Sequence, residues 1–305
     1  MKKREMNMML RFVLLAFMAL TLLFHPVLGA SNSGDGMSEL IGHYVNMFRG
    51  QKERIPTKVK LAIVGLPRTG TGSLVEALTL LDYTTLHADE YVELSDLFAA
   101  LTDEVDPISM QQFTDKVGKR GFSAVYFWNA DFIRWAADAS VVKVVLTTRD
   151  SPTKWAESYE SVGTSWEGIL LSRPFIWFKK AQQMVPTIRS LFQMIQSDDI
   201  QALEKSYINH ERMVREIVPE DKLLVFNAKQ GWGPLCDFLG DTKCDVLKEQ
   251  PFPHANERWL LQLENNILWS ITWIWPVLVF FLLYMIWSVY CCVFSTKKKA
   301  KVKGY

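Results

Sequence analysis

The chain has 305 residues, 49% of them hydrophobic and 22% charged, with a formal net charge of +1. That apolar content, with ordinary numbers of Gly and Pro, excludes an intrinsically disordered protein. Removing the basic ends, residues 1–29 and 295–305, leaves 25 basic against 32 acidic residues, a middle without the basic face that a general nucleic-acid binder needs.

Lys2-Lys3-Arg4, an apolar run over residues 12–24 and small residues up to Ala30 have the layout of a secretory signal, residues 1–29, cleaved after Gly29. An uncleaved signal anchor fits the same flanks. Residues 30–57 read as a polar lead-in. The apolar run 59–64 ends at Gly65 and predicts a buried strand entering a turn, and residues 73–81 follow with helical spacing. Further strands are expected at 123–128, 141–148 and 223–226, with helices at 91–101, 131–139, 175–196 and 200–217. Strands alternating with helices predict an α/β fold, a parallel β-sheet flanked by helices, over residues 58–258.

No charged side chain occurs between Asn265 and Thr296, so residues 267–294 are expected to form a transmembrane helix. The lysine-rich tail, residues 295–305, places the C-terminus in the cytosol by the positive-inside rule and the middle of the chain in the lumen or outside. Lys301 and Lys303 resemble a dilysine retrieval signal of endoplasmic reticulum and early Golgi membrane proteins; an ordinary stop-transfer cluster reads the same way. The expectation is a single-pass protein of one of those membranes, with the lipid bilayer as a partner. Cys291 and Cys292 would sit at the cytosolic end of the span, in reach of S-acylation. Cys236 and Cys244 lie where a disulfide is permitted. Neither their spacing nor the histidines form a zinc pattern, and no metal is expected.

The strand ending at Val64 runs into Gly65-Leu66-Pro67-Arg68-Thr69-Gly70-Thr71-Gly72-Ser73. A glycine turn between a strand and a helix N-terminus directs backbone N–H groups and the positive end of the helix dipole at an anion. Gly65 and Gly70 fit the spacing of the nucleotide-binding P-loop, but Thr71 stands where that motif has lysine. The missing lysine argues against a kinase or other nucleoside triphosphatase, which remains a lesser alternative. The cation is Arg68, with hydroxyls at Thr69, Thr71 and Ser73.

This loop resembles the 5′-phosphosulfate loop of the P-loop sulfotransferases, in particular a branch reading Gly-x-x-Arg-Thr-Gly-Thr. Two further blocks fall in the family's order: "VVKVVLTTRDSPTKWAES" resembles its 3′-phosphate element, and "LLVFNAKQGWGPLCDFLG" its C-terminal signature. The resemblance implies transfer of a sulfuryl group from 3′-phosphoadenosine 5′-phosphosulfate to a hydroxyl or amine acceptor, without a metal. By it, Arg68, Thr69, Gly70, Thr71, Gly72 and Ser73 hold the 5′-phosphate, and Arg149 and Ser158 hold the 3′-phosphate. Arg149 lies nine residues before Ser158, where many sulfotransferases have eight.

The proton acceptor is the departure. Where the related branch has Asp-Trp-Pro-Ala, this chain reads Phe127-Trp128-Asn129-Ala130. His87 is then the expected base, since its unperturbed pKa of about 6.5 suits neutral pH, with Asp131 as the other candidate. His43, His210 and His254 have weaker claims. Loss of the acid also leaves open a nucleotide-binding pseudoenzyme that acts as a membrane-anchored interaction partner. The acceptor itself is not legible.

Overall fold

The computed structural model describes residues 54–160 except 92, 104 and 141, residues 199–254 and 274–287, and positions 182, 183, 185, 186, 189, 195, 270 and 272. Residues 1–46 and 47–305 form two compact units, and every described residue belongs to the second. The expected signal segment, the basic tail and nearly all of the expected helix 175–196 lie outside the described residues.

Five strands form one parallel sheet: β1 (Leu61–Ile63), β2 (Thr85–Leu86), β3 (Ala124–Tyr126), β4 (Lys143–Thr147) and β5 (Leu223–Phe226). Their spatial order is β2-β3-β1-β4-β5. β1 is therefore central, pairing Leu61 with Ala124 on one side and with Lys143 on the other. All three of its residues are fully buried, which is why it reads as a continuous apolar run rather than an alternating one. The chain leaves β1 towards β2 and leaves β4 towards β5, in opposite directions, so the sheet's switch point lies between β1 and β4.

Helices α1 (Thr71–Leu80), α2 (Ala88–Tyr91), α3 (Ser95–Leu101), α4 (Met110–Lys119), α5 (Ala130–Asp138), α6 (Pro152–Glu160), α7 (Ile200–Ile217), α8 (Trp232–Leu239) and α9 (Cys244–Leu247) connect and flank the strands. The expected helix at 91–101 is two short helices, and α4 and β2 add to the expected elements. α4 starts in a capping box: the Ser109 side chain accepts from the Gln112 N–H, and the Gln112 side chain accepts from the Ser109 N–H. Asn129, the residue before α5, accepts from the Phe132 N–H at 2.9 Å and so caps that helix. The other ends of α5 and α8 take lysines. Lys222 Nζ donates to the Ala137 and Ala139 carbonyls, and Lys143 Nζ to those of Phe238 and Leu239, charges matched to a helix C-terminus.

Cys236 on α8 and Cys244 on α9 form a disulfide, both residues buried. Among the described residues no helix is long and apolar enough to cross a membrane. Within the expected span, residues 274–287 are helical and expose large apolar side chains, Phe280, Phe281 and Trp287 among them.

Candidate functional site

The glycine loop is shaped by its contact with β4. A Cβ on Gly65 would stand 1.9 Å from Thr147 Oγ1, inside any permitted contact, so only glycine lets the backbone leave β1 there. Thr69, 1% exposed, donates its hydroxyl to the Leu66 carbonyl at 2.6 Å. Its oxygen lies 2.6 Å from Thr147 Oγ1; with its own proton already given to Leu66, it accepts there. The Thr69 side chain thus braces the loop, and its share in holding a ligand falls to its backbone N–H.

Arg68 takes φ of +70°, a left-handed conformation that a residue with a Cβ adopts at a cost. Gly70 follows at φ +91° and is the N-cap of α1. No side chain caps that end and no acid occupies its first turn. The first amides of a helix have no intrahelical acceptor, so the α1 N-terminus presents N–H groups and a positive dipole end, the arrangement that suits an anion. Thr71 and Ser73 are buried within that first turn.

β4 ends beside the loop. The Thr148 N–H donates to the Phe226 carbonyl at 2.8 Å, and the Arg149 N–H donates to the Tyr207 hydroxyl at 2.9 Å, so backbone bonds fix the strand end while the Arg149 side chain is exposed. Asp150 pairs with Lys229 at 2.5 Å and with Lys154 at 3.4 Å, and accepts from Asn227 at 3.2 Å. Lys229 does most to hold the Asp150 carboxyl down to about 2. Ser158 is on the buried face of α6 with Trp155, Ala156 and Tyr159, so the two residues expected to share a phosphate differ sharply in exposure.

His87 follows β2 directly and lies against the loop: its Nε2 is 3.3 Å from Thr71 Oγ1. Its ring stacks on Tyr126, with centroids 4.8 Å apart. The Tyr126 hydroxyl is buried beside Thr71, and burial pushes that phenol well above its ordinary pKa. Strand alternation puts Phe127 on the opposite face, where it packs with Phe98, Phe113 and Phe132. Asp131 is in the exposed first turn of α5 and pairs with Arg134 at 3.0 Å.

The structure therefore joins His87 to the loop through Thr71 and sets Arg149 at the end of the strand next to β1, whereas Asp131 is tied to its own helix. His210 is buried, donating Nε2–H to the Val64 carbonyl at 2.6 Å; burial pushes its pKa down to about 4. Tyr126 and Tyr207 were missed as site residues. An apolar strand and a helix give an aromatic at either position no signal beyond core packing.

A parallel α/β sheet with an uncapped glycine loop after its central strand defines the class of protein. Its family follows from comparison. The model of a family described as "Sulfotransferase domain" matches residues 60–260, and the chain belongs to that family. It is also similar to the "Ava biosynthesis cluster protein M" of Aspergillus versicolor, 28% identical over 217 residues, 64% of this chain and 80% of that protein.

Proposed function

We propose that the protein is a membrane-anchored sulfotransferase that takes a sulfuryl group from 3′-phosphoadenosine 5′-phosphosulfate, the donor the family generally uses, and passes it to a hydroxyl or amine acceptor in the lumen of the endoplasmic reticulum or Golgi. One observation carries the donor: the uncapped loop after β1 and Arg149 at the end of β4 flank the sheet's switch point, where ligands of open α/β sheets bind. When bound, the donor supplies an activated sulfuryl group and a leaving 5′-phosphate. The amides of residues 69–73 and the Arg68 guanidinium meet the charge on that phosphate. Arg149 takes the 3′-phosphate as a paired hydrogen-bond donor, with Ser158 adding a hydroxyl. The His87 imidazole, held by Thr71 and Tyr126, takes the proton of the acceptor.

The topology draws on other features. Large apolar side chains exposed on residues 274–287 suit lipid better than water, and the Cys236–Cys244 disulfide suits an oxidising lumen.

The test is transfer of labelled sulfate from the donor to a panel of phenolic, sterol, lipid and sugar hydroxyls by the full-length protein in detergent. His87→Ala is expected to lower kcat by about 10²- to 10⁴-fold while leaving affinity for adenosine 3′,5′-bisphosphate within about twofold, a change under about 0.5 kcal/mol. A folded protein that binds the bisphosphate and transfers to none of these acceptors would favour the pseudoenzyme reading, to which Phe127 in place of a carboxylate lends its support.

A further inference from the structure

The loop and the Arg149 turn leave different strands, and three hydrogen bonds and one ring contact, made by three buried side chains, tie them together. Trp155 on α6 is fully buried, and its indole N–H donates to the Pro67 carbonyl, inside the glycine loop, at 2.8 Å. Its ring lies against that of Tyr207 on α7, centroids 5.2 Å apart. The Tyr207 hydroxyl accepts the Arg149 N–H at 2.9 Å. One turn further along α7, His210 Nε2–H donates to the Val64 carbonyl at 2.6 Å, where β1 gives way to the loop. Packing alone would be satisfied by apolar residues at these positions. Instead the Trp155 N–H, the Tyr207 hydroxyl and the His210 Nε2–H each bond the backbone of one or other anion-binding element.

A ligand with one phosphate can settle in whichever element binds it. A nucleotide with phosphates at both 3′ and 5′ positions has a fixed span, and gains from the second contact only if the two subsites are held at that separation. We propose that Trp155, Tyr207 and His210 form a brace that sets the distance between the glycine loop and Arg149, and so selects nucleotides phosphorylated at both positions. They are positioning residues, acting through Pro67, Val64 and the Arg149 backbone. The proposal rests on the reading of the loop as the 5′ subsite and Arg149 as the 3′ subsite.

The experiment measures Kd for adenosine 3′,5′-bisphosphate and for adenosine 5′-monophosphate on the full-length protein in detergent. The ratio of the two reports what the 3′-phosphate adds. Trp155→Phe removes the N–H to Pro67, a contact on the 5′ side, yet the brace requires it to reduce the 3′-phosphate's contribution, with the ratio falling about tenfold, within the usual range of coupling between sites. Tyr207→Phe keeps the ring stack and removes one hydroxyl; it gives the same fall and decides the matter if Trp155→Phe does not fold. A ratio unchanged in the folded variants, with both affinities lowered alike, overturns the brace and leaves these residues a local structural role. A wild-type protein that binds both nucleotides equally removes the 3′ subsite, and one that binds neither removes the donor reading; in both cases the brace falls with it.

Discussion

Thr69 illustrates how a residue of a phosphate-loop motif can serve the loop before it serves the ligand. Its hydroxyl donates to Leu66 and accepts from Thr147, both at 2.6 Å and both buried. Thr69→Val keeps the shape and strands the Leu66 carbonyl and the Thr147 hydroxyl, so unfolding in urea should show a loss of about 1–3 kcal/mol. Thr69→Ser, which keeps both bonds, should lose less than half of that. His210 gives a pH signature. It is neutral in the folded protein down to about pH 4, whereas an unfolded histidine protonates near about 6.5. The unfolded state binds the extra proton between those values, so this contribution is complete above the upper one. It is lost as pH falls towards the lower, by up to about 3 kcal/mol. His210→Gln, which retains an N–H for Val64, should flatten the fall between pH 6.5 and 4 by that amount; an unchanged slope would show that His210 does not cause it.

At the level of elements, what was legible followed from burial. β1, β4 and β5 are buried or half-buried parallel strands, and their apolar runs announced them. α7 spans Ile200–Ile217, the expected limits, because its apolar face repeats at Leu203, Tyr207, His210 and Val214. β2 has two residues at the edge of the sheet, paired on one side only, too few for any periodicity. The glycine loop was legible for a different reason: Gly65 and Gly70 are demanded by a close contact and a positive φ, and such demands leave fixed letters. The His87–Thr71–Tyr126 grouping was only half legible, since it depends on β2 and β3 being neighbours. The α8–α9 corner adds a test at this scale. Its disulfide closes a short loop, and reduction should cost about 2–3 kcal/mol by the chain-entropy relation, read as a lower melting temperature in reductant. No change on reduction, with both thiols already free to alkylation, would contradict the bond.

On the scale of the whole molecule, the topology does what no single motif does. With β1 in the middle and β4 beside it, the loop and Arg149 come to the ends of neighbouring strands although 80 residues of sequence separate Arg68 from Arg149 and β2 and β3 lie on the far side of β1. The proposed donor site is tested most directly by the thermal stability of the full-length protein in detergent with adenosine 3′,5′-bisphosphate, compared with ATP and magnesium. At a hundredfold excess over Kd a ligand that binds only the folded state stabilises it by about 2.7 kcal/mol. Melting temperature is expected to rise with the bisphosphate, to rise less with ATP and magnesium, and to lose that difference in Arg149→Ala. Stabilisation by ATP and magnesium equal to or above that by the bisphosphate, or a bisphosphate effect untouched by Arg149→Ala, would contradict a donor site that uses Arg149.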